Sequence, residues 1–219
     1  MKQERILVVC IFSTGCCGVF QRAKRDAIVF SEEKEGKNIV KIFSSNAIKG
    51  KDELAEDSEI IKDVEIKRFP FIKLGGESFM YFTGKKFKEA VREFKPTIII
   101  AHCYRHIHTH TCLKLAKELK AKSVIFSHGS FKRDVRPRFD KIVVWFYDKI
   151  FGKKILKEYG KIVTIVPWEK EQLEKFLGIY KAPKMLYFET HDDYLKAIPE
   201  LSKQWEKELT ISKRGKNNE

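Results

Sequence analysis

The sequence predicts an α/β fold with one doubly wound, mainly parallel sheet and helices on both faces. Short β-branched runs such as Thr97–Ala101 alternate along the chain with longer segments whose apolar residues recur at helical spacing. The short runs are apolar throughout, as in strands that are covered on both faces. With 219 residues and 43% hydrophobic composition, the chain can bury one large core. Together these observations favour a single Rossmann-like domain.

Glycine, proline and polar clusters set the boundaries of the elements in the first half. Pro70 has no N–H for a sheet ladder, so it is expected to end a strand, and a loop should follow to Ser78. The stretch Ser44–Asp63 is polar and charged, which favours a surface excursion. The predicted elements are strand Arg5–Phe12, helix Val19–Glu33, strands Ile39–Phe43 and Asp63–Phe69, and helix Phe79–Phe94.

The second half opens with a strand, helix, strand unit between Phe94 and Phe131. His102 ends its first strand and His128 follows its second. Because the strands of such a unit are parallel, both histidines are expected at the carboxyl edge of the sheet, where open α/β sheets bind ligands. The later predicted elements are helix Asp140–Tyr159, strand Lys161–Val166, a helix from Pro167 to near Gly178, strand Met185–Phe188 and helix Asp192–Ser212.

The helix Asp140–Tyr159 combines apolar, aromatic and basic residues. A core-facing stripe is predicted from Ile142, Val143, Phe146, Ile150 and Ile155. Lysines interleaved with Trp145 and Phe151 make the remaining surface basic, which suits an anionic membrane surface. The alternative is an ordinary packed helix with a solvated lysine face.

The chain is strongly basic, with 44 Lys and Arg against 30 Asp and Glu, a net charge of +14 and a pI near 9.5. This balance favours an anionic partner: nucleic acid, an anionic lipid surface or a phosphorylated substrate. The basic residues are spread along the whole chain, so solubility alone remains an alternative. No nucleic-acid motif is present, which disfavours nucleic acid. Abundant Ile, Lys and Glu with few glutamines favour a thermophilic source.

No apolar run reaches the roughly 18 residues of a membrane span, and the amino-terminal run is too short for a signal peptide. We therefore expect a cytoplasmic protein. Five cysteines without small-domain spacing disfavour a disulfide framework, although a hot-living source leaves one intracellular disulfide open. Histidines and cysteines crowd the segment Cys103–Cys112, but it contains neither C-x-x-C nor H-E-x-x-H. Neither a metal nor a cofactor is predicted.

The loop after the first strand contains Gly15 and Gly18 and opens onto a helix amino terminus. Backbone N–H groups in that arrangement can meet an anion such as a phosphate. A tight strand-to-helix turn that needs glycine for positive φ explains the same residues. The sequence leaves both explanations open.

The later segments resemble the amino-terminal, acceptor-side domain of GT-B glycosyltransferases of family 4. The family's P-D-hydrophobic-H-x-H pattern corresponds to Pro96–Cys103, and its hydrophobic-P-H-G-S/T pattern corresponds to Phe126–Ser130. Its basic helix corresponds to Asp140–Lys157, and its strand followed by an E-K-E-x-L helix corresponds to Val163–Leu173. Ser127 replaces the proline of the second pattern, and Pro167 stands where the family's strand ends in serine. The resemblance covers about residues 1–179 and is strongest from 95 to 179.

The resemblance implies transfer of a sugar from a nucleotide-sugar to a sugar or lipid-linked acceptor. His128 corresponds to the histidine that lies beside the transferred sugar in the family. Gly15 and Gly18 correspond to the family's glycine loop near the donor phosphates. Arg133 and Arg136 are candidate anion contacts by charge alone. The predicted substrate-binding residues are Gly15, Gly18, His102, Gly129, Ser130, Arg133 and Arg136, with His128 as the catalytic residue.

The family's second, donor-binding domain has no counterpart in this sequence. Residues 1–179 are expected to form the acceptor-side domain, and residues 180–219 a strand and helix that pack back on it. The chain would then be half of a GT-B fold and would obtain its donor site from a separate chain. The alternative is a carbohydrate-binding or interaction module without catalysis. An apolar surface left uncovered by the missing domain predicts a homodimer.

Overall fold

A computed structural model of the chain describes residues 3–15, 17–32, 38–74, 80–128, 138–164, 167–178 and 185–187. These residues belong to one compact unit, Met1–Tyr187. The predicted helix Asp192–Ser212 and most of the predicted segment 180–219 lie outside the described residues. The elements below are therefore those of the first unit alone.

The strands are β1 Arg5–Val9, β2 Ile39–Ser45, β3 Ser58–Ile61, β4 Val64–Phe69, β5 Ile72–Lys73, β6 Met80–Tyr81, β7 Ile98–His102, β8 Lys122–Phe126, β9 Lys161–Thr164 and β10 Met185–Tyr187. The helices are α1 Gly18–Glu32, α2 Lys85–Phe94, α3 Ile107–Glu118, α4 Arg138–Tyr147, α5 Lys153–Glu158 and α6 Pro167–Leu177. A π-helical turn, Asp148–Gly152, joins α4 to α5.

Eight strands form the main sheet in the order β10-β9-β8-β7-β1-β2-β4-β3. All neighbours pair in parallel except β3, which runs antiparallel to β4 at one edge. The chain builds outward from β1 to one side and then returns to continue from β7 on the other. Right-handed crossovers in opposite directions place α1 and α3 on opposite faces of the sheet. The predicted doubly wound, Rossmann-like α/β fold is confirmed.

The core lies on both faces of the central strands, where β1, β2, β7 and β8 are almost wholly buried. On one side, phenylalanines of β2, β4 and α2 pack edge to face, with the ring centroids of Phe43 and Phe69 5.3 Å apart and those of Phe69 and Phe87 5.2 Å apart. Such aromatic pairs favour tilted contacts because of their ring quadrupoles. These aromatic contacts hold α2 against strands β2 and β4 of the main sheet.

Two predicted boundaries in the first half are wrong. The polar stretch Ser44–Asp63 contains the edge strand β3, whose side chains alternate between exposed and partly buried because successive residues point to opposite faces of the strand. The helix predicted from Phe79 begins at Lys85 instead. Met80 belongs to a two-residue ladder with β5, and its side chain is buried.

The core-facing stripe predicted for the helix Asp140–Tyr159 is also wrong. Ile142, Phe146 and Ile150 are more than half exposed, although Ile155 is buried as expected. The residues that face inward include Asp148, Gly152, Ile155, Leu156 and Tyr159. The π-helical turn, which accommodates one extra residue, brings Asp148 and Gly152 to the inner side.

Candidate active site

The sheet changes its direction of growth between β1 and β7, and both strands end at the same carboxyl edge. In open α/β sheets this switch point is where a crevice forms, because the two loops that follow the strands diverge. Here the loops are residues 10–17 after β1 and residues 103–106 after β7. His128 follows the neighbouring strand β8, so the predicted histidines meet beside this crevice.

His102 and His128 are in direct contact. Nδ1 of His102 lies 2.8 Å from Nε2 of His128, and the ring of His102 stacks on Phe126 with centroids 4.7 Å apart. His102 is completely buried, whereas His128 is partly exposed and has a φ of 52°. Left-handed backbone is unusual for a residue other than glycine and is often found at functional positions. The pair therefore presents one accessible imidazole with a buried one behind it.

Burial makes both imidazoles hard to protonate. It lowers the pKa of His128 to about 3, with further contributions from the charges of Arg22 and His106. Burial, followed by the proximity of His128 and Arg22, also takes the pKa of His102 well below its ordinary value. Both rings are consequently neutral near pH 7, and one ring nitrogen of the pair donates to the other.

The direction of that hydrogen bond follows from the remaining nitrogen of His102. Among the described residues, its buried Nε2 has no hydrogen-bond partner. A buried N–H without a partner is rarer than a buried acceptor without one, which favours an unprotonated Nε2. We therefore assign the proton to Nδ1 of His102, which donates to Nε2 of His128. His128 then carries its own proton on Nδ1 and can act as a neutral hydrogen-bond donor.

Arg22 is a site residue that the sequence reasoning missed. Its guanidinium lies 5.5 Å from the centroid of the Phe126 ring, and its charge lowers the pKa values of His102 and His128. Arg22 also lies 3.9 Å from Asp26, whose pKa burial raises to about 7 despite the nearby arginines. Arg22 lies inside α1, and no local sequence pattern marks an arginine within a helix as a site residue. The pair thus has a fixed positive charge beside it.

The glycine loop lies at the same edge of the sheet. Gly15 has a φ of 73°, and a Cβ there would lie 3.4 Å from Cγ2 of Ile48. The requirement for positive φ accounts for this glycine without a ligand. Gly18 is the first residue of α1, and a Cβ there would meet nothing within 4 Å. The loop therefore leaves open space at a helix amino terminus, where N–H groups have no intrahelical partner.

A buried arginine supports the glycine loop from behind. Arg68 donates from Nε to Oγ of Ser13 at 2.6 Å and from Nη2 to the carbonyl oxygen of Ser13 at 3.3 Å. Ser44 donates to the same Oγ at 2.6 Å, and Arg68 forms an ion pair with Glu59. These bonds join β2, β3 and β4 to the loop after β1. The anion-binding candidate is therefore anchored to the sheet.

Asp148 holds the loop after β7. Its carboxylate accepts from the hydroxyl of Tyr104 at 2.9 Å and from Nε and Nη2 of Arg105 at 2.8 and 2.6 Å. Cys103 and Arg105 both have positive φ, at 72° and 74°. Such backbone persists when its surroundings determine it strongly. The π-helical turn thus fixes the residues that follow His102.

The crowded histidines and cysteines point in different directions. His108 donates from Nε2 to the carbonyl oxygen of His102 at 2.7 Å, whereas His110 lies 2.5 Å from the hydroxyl of Tyr147. Within the described ranges, no group of three or more His, Cys, Asp or Glu side chains is arranged to hold a metal ion. The four described cysteines are free thiols, and burial raises the pKa of Cys103 to about 12.

The structure brings His102, His128, Gly15 and Gly18 to one edge of the sheet, as the sequence predicts. Gly129, Ser130, Arg133 and Arg136 lie outside the described residues, so their predicted roles remain predictions. Within the described part of the chain, every helix is too short or too polar to span a bilayer.

Fold and site together define a Rossmann-like domain with a histidine pair at the carboxyl edge of its sheet, next to the switch point. The model of the family described as Glycosyltransferase Family 4 matches residues 40–184, about two thirds of the chain. The protein belongs to this family, so the predicted family membership is confirmed. No curated protein matches the sequence.

Solved structures resemble the fold at low identity. One structure of sucrose-phosphate synthase from Thermosynechococcus elongatus gives a TM-score of 0.55 and 11% identity, covering 94% of this chain and 99% of that one. A longer chain of the same enzyme gives a TM-score of 0.52 and 11% identity, covering 84% of this chain and 47% of that one. This chain thus spans about half of the longer synthase chain.

Proposed function

We propose that this chain supplies the acceptor side of a glycosyltransferase that moves a sugar from a nucleotide-sugar to a sugar or lipid-linked acceptor. Family membership supports glycosyl transfer in general. The observation that carries the proposal is the His102–His128 pair, which lies at the carboxyl edge of the sheet next to the switch point, with His128 partly exposed.

In this proposal His128 acts as a hydrogen-bond donor to the reacting sugar. An imidazole whose pKa is about 3 is neutral at pH 7, so it stabilises developing negative charge through its N–H. His102 acts as a positioning residue that fixes the tautomer of His128. Arg22 and the N–H groups near Gly15 and Gly18 contribute positive potential for donor phosphates.

The donor pocket is proposed to come from a separate donor-binding chain that pairs with this one. Gly129, Ser130, Arg133 and Arg136 are proposed as further substrate contacts. Exposed Leu54, Ile72 and Leu74 follow β2 and β4 at the carboxyl edge, where such a domain would close. We propose that a second copy covers this edge when the donor-binding chain is absent, and a monomer in light scattering would argue against it.

We propose that the protein acts in the cytoplasm, peripherally bound to an anionic membrane. A net charge of +14 attracts the chain to anionic lipid, and a lipid-linked acceptor would be found there. Residues 1–179 would form the catalytic half, with residues 180–219 packed against it. The thermophilic source suggested by the composition is a separate expectation.

The experiment follows radiolabelled hexose from a panel of nucleotide-sugars into lipid and oligosaccharide acceptors, with this chain alone and with candidate donor-binding chains. His128→Ala should lower transfer by about 10²- to 10⁴-fold, the usual range for a positioned hydrogen-bonding or acid–base group. His110→Ala is the matched control, since His110 contacts Tyr147 outside the pair and should leave most of the transfer intact.

The second candidate is a carbohydrate-binding module without catalysis. It is favoured if acceptor binding is measurable while no pairing gives turnover. Acceptor binding by both the wild type and His128→Ala, without transfer by either, would leave only this module.

A further inference from the structure

The segment from α4 through α5 exposes a cluster of large apolar side chains. They recur at helical spacing along α4 and the π-helical turn, and each is between 47% and 60% exposed: Ile142, Trp145, Phe146, Ile150 and Phe151. These five residues are half of the exposed large hydrophobic residues among the described side chains. We call them, together with Lys149, Lys153, Lys154 and Lys157, the α4–α5 face.

Charge on this face is entirely basic. Its four lysines are exposed, and Lys149 Nζ lies 4.8 Å from the centroid of the Trp145 ring. Of the acidic residues within the segment, Asp148 points inward to Arg105 and is buried, whereas the side chain of Asp140 is not among those that the structure describes. Glu158, at its end, pairs with Lys117 at 2.7 Å. Among the described side chains of this segment, basic groups therefore outnumber carboxylates around the apolar cluster.

We propose that the α4–α5 face docks on an anionic lipid bilayer, with its aromatic residues in the interface and its lysines against the headgroups. Helices that lie in a membrane interface combine an apolar face containing Trp and Phe with flanking lysines. Lysines also keep their stems along apolar surface while their charged heads reach phosphate. A protein partner would have to supply acidic groups around an apolar groove, whereas an anionic bilayer supplies both chemistries over any area.

Docking in this way places the candidate site near the membrane. Asp148 lies between the exposed residues and bonds Tyr104 and Arg105, which follow His102 by two and three residues at the end of β7. A lipid-linked acceptor would therefore reach the histidine pair from the bilayer on which the face rests. The inference rests on the proposed function for the identity of the acceptor, but not for the docking itself.

The test is cosedimentation of the purified full-length chain with vesicles of phosphatidylglycerol and phosphatidylcholine in equal parts, compared with vesicles of phosphatidylcholine alone. Binding is expected only to the anionic vesicles and should weaken strongly at about 0.5 M salt, where charges are screened within a few ångströms. Each of Lys149→Ser and Lys153→Ser should lower partitioning about fivefold. Lys85→Ser, at an exposed position on α2, is the matched control and should change little.

The apolar contribution is tested with the double variant Trp145→Ser, Phe146→Ser. Loss of both anchors should lower partitioning by more than about tenfold. The variant Ile60→Ser removes an exposed apolar residue elsewhere and should bind as the wild type does. All positions are exposed, and thermal unfolding of each variant checks that the fold is retained.

Three outcomes would overturn the inference. The first is that the full chain does not bind anionic vesicles. The second is that the double variant Trp145→Ser, Phe146→Ser binds them as well as the wild type does. The third is that this double variant changes its oligomeric state without a change in lipid binding. The last result would make the face a protein interface. Vesicle binding requires no donor or turnover, so a chain that binds vesicles but never transfers sugar would refute only the proposed function. A chain that transfers sugar but ignores vesicles would refute only the docking.

Discussion

His102 and His128 behave as one unit because a hydrogen bond of 2.8 Å and a shared contact with Phe126 hold their rings together. Neither ring needs to be charged for this arrangement, and burial opposes protonation of both. A neutral donor suits a group that must stabilise charge only as it develops. In the proposed function, His128 acts through its tautomer rather than through a change of protonation.

The low pKa of His128 also predicts a loss of stability in acid. Unfolding returns the imidazole to a pKa near 6.5, so between pH 6.5 and 3 the unfolded chain binds a proton that the folded chain does not. Lowering the pH from 7 to 5 should therefore reduce the free energy of unfolding by about 1 to 2 kcal/mol through this residue. His128→Gln, compared with the wild type by urea unfolding at both pH values, should remove that part of the pH dependence. An unchanged pH dependence would contradict the assignment.

The sequence predicted where the two histidines lie because the end of a parallel strand fixes the edge at which a side chain is found. It did not predict that their nitrogens touch, since the distance depends on the left-handed backbone at His128 and on the packing of Phe126. Arg22 was missed because an arginine inside a helix has no local pattern that distinguishes a site residue from a surface one. Its contact with the ring of Phe126, a residue of β8, is what assigns Arg22 to the site.

Among the elements, the π-helical turn Asp148–Gly152 connects the candidate site to the α4–α5 face. It places Asp148 against Tyr104 and Arg105, and it brings Gly152 against the hydroxyl of Tyr104. Both side chains of the Arg105–Asp148 ion pair are almost completely buried. Breaking such a pair leaves an uncompensated charge in the interior, so the turn is held firmly in place.

Gly152→Ala should therefore destabilise the fold. A Cβ there would overlap Oη of Tyr104, and a clash in a packed interior costs about 1 to 3 kcal/mol. Combining it with Tyr104→Phe should cost less than the two changes added, because the overlapping oxygen is gone. Gly18→Ala is the control, since open space surrounds that position and the free energy of unfolding should hardly change. Urea unfolding is measured for the wild type and the four variants, namely the two single changes, their combination and Gly18→Ala, and full additivity would contradict the clash.

Periodicity predicted that residues 140–159 are helical but assigned the wrong face to the core. A 3.6-residue period shows that apolar residues share a side without showing what covers it. The π-helical turn then shifts the register, so that Tyr147, Asp148 and Gly152 turn inward together. Neither the extra residue nor the buried carboxylate leaves a recognisable pattern in the sequence.

For the whole molecule, the alternation of strands and helices was enough to predict the doubly wound sheet, because buried parallel strands have a distinctive apolar composition. The edge strand β3 was not predicted, because a strand with one unpaired edge and one solvated face can have a polar sequence. The order of the strands places the switch point between β1 and β7, beside the histidines. The family match is consistent with this site, and the low identity to sucrose-phosphate synthase extends only to the fold.

We propose that this chain completes a glycosyl-transfer site together with a donor-binding chain. Transfer of radiolabelled hexose should be measured while the donor-binding chain is titrated into a fixed amount of this one. The account predicts little transfer by either chain alone, a rise that saturates at equimolar mixing, and loss of that transfer in His128→Ala. Full transfer by this chain alone, or transfer that is unchanged in His128→Ala, would contradict it.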